Sequence, residues 1–181
     1  MTHKTKGIVL RTIKYGETSL VATIFTELFG VQTYRVNCVR SSKKSSSKAN
    51  HFQPGAILYM IVYHNDLHSM QRIKEFKWDY LFDQVLSDVI KNSIALYMVE
   101  LLHKCLPERD KNPPFFYFSE AFLIRLAKAN QSVTANLALY FCMQLLTFLG
   151  FKGNDDFKKK MHILGLRRRH LLGETQANLS L

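Results

Sequence analysis

Over the first third of the chain, polar and apolar residues alternate in short runs separated by turn residues. A period near two predicts strands. The first is Gly7-Ile-Val-Leu-Arg11-Thr-Ile-Lys14-Tyr15, turned by Gly16-Glu17 into a second, Ser19 to Thr26. Glu27-Leu-Phe-Gly30 turns the chain again, with Gly30 supplying the positive φ that a tight return needs. Val31–Val39 is the third strand, mixing polar with β-branched and aromatic residues. Ala56–Tyr63, an apolar run bounded by Pro54-Gly55 and Asn65-Asp66, is the fourth. Met70 to Phe76 alternates as a fifth. Five short strands joined by one long loop and otherwise hairpin-length connections predict a small antiparallel barrel over residues 1–78. The five-stranded OB-fold is the leading topology and an SH3-like barrel the second, since strand order is not legible in the pattern.

Between Trp78 and Asp83 the period changes. Val85, Leu86, Val89, Ile90, Tyr97, Leu101 and Leu102 recur at helical spacing, with Asp83 as the N-cap and Pro107 as the stop. A loop from Glu108 to Pro114 follows, its two prolines read as helix breakers. A second helix is expected from Phe115 to Ala129, and a third from Gln131-Ser132 to Gly150. The fold class is therefore α+β: an N-terminal OB-fold barrel followed by an α-helical domain over residues 79–153.

Charge divides along the same line. Residues 1–77 carry 12 Lys and Arg against four acids, and residues 78–157 carry seven against nine. The net +11 thus resides in the barrel and in a tail that begins at residue 154. A basic β scaffold suits a polyanion. The loop Arg40-Ser-Ser-Lys43-Lys44-Ser-Ser-Ser-Lys48 concentrates cations between strands three and four. A solvated loop is the plain alternative, but Arg35 leads into it, and Arg11 and Lys14 add charge to the same barrel. Tyr34, Tyr59 and Tyr63 lie near it in sequence and offer stacking faces. The candidate DNA-binding set is Arg11, Lys14, Tyr34, Arg35, Arg40, Lys43, Lys44 and Lys48.

Other chemistries are not supported. Cys38, Cys105 and Cys142 are far apart and odd in number, which fits a reducing cytoplasm and predicts neither a zinc site nor a disulfide framework. No phosphate-binding glycine motif or serine-hydrolase elbow occurs. His64 and His68 flank a turn, not a helix face, and Asp155-Asp156 reads as solvated acid. No catalytic set and no cofactor are predicted. The run from Ser132 to Phe151 approaches membrane length, but it contains Asn136 and Gln144 and is expected to be a buried bundle helix.

Gly7-Ile-Val-Leu, Tyr15-Gly-Glu-Thr-Ser19, Phe25-Thr-Glu27 with Gly30, Val36-Asn-Cys-Val-Arg40-Ser-Ser-Lys-Lys44 and Phe52-Gln-Pro54 follow one another in an order that resembles the RecO family of bacterial DNA repair proteins. The helical pattern ending Phe148-Leu-Gly-Phe151 is similar to that family's central domain. The resemblance covers residues 5–153. It implies a non-enzymatic recombination mediator whose OB-fold binds single- and double-stranded DNA without sequence preference and anneals complementary strands. RecR, RecF and single-strand binding protein are the implied partners, and help in loading RecA is the implied outcome. Cys38 departs from the family, which carries a small residue there, often glycine.

Residues 154–181 resemble nothing in the family. Read at face value they form a basic tail. Reading the codons one base earlier permits an acidic and aromatic segment of the kind the family carries there, so the tail is expected to be a frameshift product. A function from a different class, a module binding an acidic peptide tail with only indirect DNA contact, stands as the alternative.

Overall fold

The computed structural model describes residues 2–37, 50–80, 85 and 87–151. The loop cations Arg40, Lys43, Lys44 and Lys48, with Cys38, lie outside the described residues, as does the chain from 152 onward. The described residues fall into two compact units that divide between Thr134 and Ala135.

In the first unit, strands β1 (Thr2–Tyr15), β2 (Ser19–Thr26), β3 (Gly30–Val36), β4 (Ile57–Tyr63) and β5 (Met70–Tyr80) close into a barrel in the order β1-β2-β3-β5-β4. All neighbours are antiparallel except β3 and β5, which run parallel through Thr33–Met70, Tyr34–Gln71 and Arg35–Arg72. That crossover is the Greek-key closure of an OB-fold and sets the SH3-like alternative aside. Two strands are longer than their sequence pattern suggests. β1 begins at Thr2 because Thr2 to Lys6 pair with Tyr63 to Tyr59 of β4. Its outward positions there are Lys4 and Lys6, so the segment reads as polar. β5 runs on to Tyr80, through residues where the alternation appeared to stop.

The barrel interior holds Val9, Leu20, Ala22, Ile24, Tyr34, Val36, Phe52, Leu58, Met60 and Val62. A short 3-10 turn, Asn50–Phe52, places Phe52 in that core, and Thr12 Oγ1 donates to its carbonyl at 2.8 Å. Full burial of each large apolar side chain contributes about 1.5–3 kcal/mol. Tyr34 is the largest fully buried residue, which corrects its placement among base-stacking residues. Alternation showed that Tyr34 and Arg35 face opposite sides, but it did not show which side was inside.

Helices α1 (Val89–Cys105) and α2 (Pro113–Lys128) complete this unit, apart from the first residues of a third helix. Asp88, not Asp83, caps α1, its Oδ1 accepting from the Ile90 and Lys91 amides at 2.9 and 3.1 Å. Residues 81–84 lie outside the described set. The two prolines open α2 instead of breaking it. They occupy its first turn, where a missing N–H costs nothing, and the Asn112 side chain accepts from the Phe115 amide at 3.1 Å. Ile8, Phe25, Val31 and Ile57 face outward from the barrel yet are almost wholly buried. Phe115 and Phe116 of α2 pack on Phe25 there, with ring centroids 6.2 and 5.4 Å away. Helix packing thus covers one sector of the barrel's outer face and leaves another open.

The body of α3 (Gln131–Phe148) belongs to the second unit. Two residues past its end stands Gly150, with φ of 85°, and the Phe151 amide donates back to the Leu146 carbonyl at 2.9 Å. Among the described residues no helix is long and apolar enough to cross a membrane.

Two groups give the barrel an alkaline limit. Hydrogen bonds to Asp79 and then Glu120 hold the Lys6 amine well above its usual range. Burial pushes the Tyr34 phenol well above its own, partly offset by Thr26. The Thr26 hydroxyl donates to the Gly30 carbonyl and accepts from the Phe29 amide, and it falls short of a hydrogen bond to the phenol. Both folded-state values lie above the unfolded ones, so this stability is present at neutral pH and lost as pH rises past about 10. Chemical denaturation from pH 8 to 11 is expected to show a midpoint that is flat and then falls. The fall should be shallower in Tyr34→Phe, and an equally steep fall in that variant would assign the limit to other groups.

Candidate nucleic-acid interface

The open sector is built by strand register. Ile13 of β1 pairs with Val21 of β2, Val21 with Arg35 of β3, Arg35 with Arg72 of β5, and Arg72 with Tyr63 of β4. These five residues form one row across the barrel, on the outward side of every strand. Arg35 and Arg72 are exposed, and Ile13 and Tyr63 are each nearly half exposed. A second row, Arg11–Thr23–Thr33–Met70, runs beside it.

Arg35 organises the centre. Its guanidinium lies 5.3 Å from the centroid of the Tyr15 ring, and its Nε donates to Asn37 Oδ1 at 2.9 Å. Asn37 is the last described residue before position 50. In the turn Asn50–Phe52, the His51 ring stacks on Trp78 at 4.0 Å. Among the described residues no carboxylate forms an ion pair with Arg35 or Arg72.

Two like charges in register on adjacent strands repel each other, which is destabilising by itself. Two nearby acids, Asp66 and Glu100, are already engaged. His64 bonds to Asp66 at 2.9 Å and holds that carboxyl below its usual range. Glu100 on α1 is likewise held down, first by Lys104 at 3.0 Å and at longer range by His103 and Arg11. Arg35 and Arg72 themselves remain exposed to solvent.

The structure brings Arg11 and Arg35 onto one face. Lys14 is exposed but shares its row with the core residues Leu20 and Val36, which puts it at the barrel rim. Tyr34 is inside. Sequence reasoning missed Arg72 and Tyr15, and it offered Tyr63 as a stacking face without placing it in the candidate set. The alternation of Met70 to Phe76 places Arg72 outward, but its neighbour Arg35 is reached only through the parallel crossover. The His64 ring stacks on Phe29 at 3.8 Å, and its Nε2 bonds to Asp66 at 2.9 Å.

Comparison with known proteins adds an independent line. Two family models match the chain, "Recombination protein O N terminal" over residues 1–82 and "Recombination protein O C terminal" over residues 86–154. A DNA repair protein RecO of Flavobacterium psychrophilum is 38% identical over 151 residues, covering 83% of this chain and 63% of the relative. The Bacteroides fragilis protein of that name is 36% identical over 158 residues, covering 87% and 64%. That of Azobacteroides pseudotrichonymphae is 30% identical over 164 residues, covering 90% and 67%. The chain therefore spans a little under two thirds of the length of the first of these relatives.

Proposed function

The chain belongs to the recombination protein O (RecO) family, and from that premise we propose that it is a DNA-binding recombination mediator acting in DNA repair. Its part is binding and not bond-making: it holds single-stranded DNA on the open face of the barrel, anneals complementary strands and assists RecA loading. RecR, RecF and single-strand binding protein are its proposed partners, in the cytoplasm and at the nucleoid, and duplex DNA is a second substrate.

The observation that carries this reading is the Arg35–Arg72 pair. Two guanidinium groups in register, without carboxylate partners among the described residues, are relieved when phosphates sit between them. Tyr15 and Tyr63 at either side supply faces on which bases stack, at about 1–3 kcal/mol per base. Arg11 extends the phosphate track, and Arg40, Lys43, Lys44 and Lys48 are proposed to add further phosphate contacts.

Fluorescence anisotropy with a labelled single-stranded oligonucleotide tests the reading over a range of salt. Each phosphate contact to a single strand contributes a slope of about −0.7 in log affinity against log salt, so three contacts give about −2. A slope near zero, or no binding at low salt, would overturn it.

A further inference from the structure

The outer face does not end at Tyr63. From Arg72 and Tyr63 the register continues along the same side of three strands, through Lys4, Ile61 and Glu75 to Lys6, Tyr59 and Lys77. Lys4, Lys74, Glu75 and Lys77 are exposed, and Tyr59 and Ile61 are half-buried. A β-bulge at this point sets Lys74 as an extra cation between Ile73 and Glu75. A groove of about 410 Å³ opens here, lined by Lys4, Tyr59, Ile61, Glu75, Phe76 and Lys77. We propose that this groove is a second nucleic-acid subsite, which takes the continuation of a single strand already held at Arg35 and Arg72.

Three observations support it. First, the arrangement at Tyr15 recurs. The Lys77 amine lies 5.2 Å from the centroid of Tyr59, as the Arg35 guanidinium lies 5.3 Å from that of Tyr15. Such a contact is weak at an exposed site, so the cation can turn to a phosphate and free the ring for a base.

Second, the charge is continuous. Arg72, Lys74 and Lys77 follow one another along β5, and five residues of strand span about 16 Å, room for several nucleotides. Glu75 is the one exposed acid on this stretch, against Lys4, Lys74 and Lys77.

Third, the track has a defined end. Beyond Lys77 stand two carboxylates, Asp79 and Glu120, and Lys6 is committed to both at 2.8 and 2.9 Å. A polyanion gains nothing by passing them. The apolar lining is Tyr59, Phe76 and Ile61, and strand register joins it to the Arg35–Arg72 row. Spaced cations alone would suit an acidic peptide as well, but the Tyr59 face under Lys77 offers a stacking surface that bases use and acidic side chains do not.

This inference rests on the reading of the Arg35–Arg72 row as a single-strand site, and oligonucleotide length separates the two. In the whole chain, K74E/K77E is expected to bind a 16-nucleotide oligothymidylate on the order of tenfold more weakly at low salt. It should bind a six-nucleotide one within about twofold of the parent. R35E/R72E should weaken both. A photo-crosslinking residue in place of Tyr59 should capture the 16-mer and not the 6-mer.

Wild-type affinity of K74E/K77E for the 16-mer would overturn the subsite. So would equal losses for both lengths, which would reduce Lys74 and Lys77 to general charge. Capture at position 59 of a polyglutamate peptide in preference to the 16-mer would overturn it in favour of a protein partner. If R35E/R72E retains full affinity for both lengths, the first reading falls, and with it the claim of continuation, whatever Lys74 and Lys77 do.

Discussion

Replacing Arg35 and Arg72 together by glutamate is expected to weaken single-stranded oligonucleotide binding by about 10²–10⁴-fold at low salt. Each charge-assisted contact is worth about 1.5–3 kcal/mol, so two lost contacts come to about 3–6 kcal/mol. A single variant discriminates more sharply. Arg72 makes no ion pair among the described residues, and its Cα partner is another arginine. R72E therefore turns a repulsive cross-strand pair into an attractive one. Its thermal stability is expected to hold or to rise by up to about 1 kcal/mol, while affinity falls at least about tenfold. Opposite signs in the two measurements are the signature of a residue kept for a ligand at a cost to the fold. Binding that falls only as far as stability falls would mean Arg72 acts through the fold, and unchanged binding would remove it from the interface.

How far the site was legible in the sequence depends on the range of the interactions involved. Some local signals were read correctly, since β2 spans Ser19–Thr26 and Gly30 has the positive φ that its turn demands, but the cap at Asp83 and the helix break at Pro113 and Pro114 were not. The partition of charge between barrel and helices was also legible, because it needs only counting. Beyond the cap and the prolines, three further readings failed, each for a physical reason. Inward and outward are not properties of an alternating strand alone. In β3 the polar Gln32 is buried and shares the inner side with Tyr34, so composition did not mark the core face. Secondly, the first residues of β1 form a strand only because β4 lies beside them, so their polar pattern carried no signal of it. Thirdly, the pairing of Arg35 with Arg72 joins residues far apart in sequence through a parallel contact. The candidate loop Arg40 to Lys48 was conspicuous by composition, whereas the arginine pair was visible only once the barrel had closed.

The largest expected stability effect belongs to Gly30→Ala. Gly30 has φ of 66°, where an alanine is strained by about 1–2 kcal/mol, and its Cβ would also meet the carbonyl oxygen of Asp110 at 2.1 Å. That carbonyl is backbone in the link between α1 and α2, and the link has little freedom to withdraw. Glu108 bridges to Val31, the Arg109 amide donates to the Val31 carbonyl at 3.0 Å, and Arg109 itself sits at φ of 62°. Its guanidinium then donates to the Asp66 and His68 carbonyls, both at 3.2 Å, tying the β4–β5 loop to the same link. Gly16→Ala is the control, because Gly16 has φ of 63° and open space around it. Backbone strain is common to both variants, so the difference between them reports the clash alone. Gly30→Ala is expected to lose at least about 2 kcal/mol more than Gly16→Ala, a total above about 3 kcal/mol and near 10 °C in Tm. Equal losses would show that the link moves aside freely and holds neither strand nor loop. Because the loop it ties follows Tyr63 directly, Gly30→Ala should also weaken oligonucleotide binding, but by far less than R72E, since it loosens one end of the interface and removes no cation.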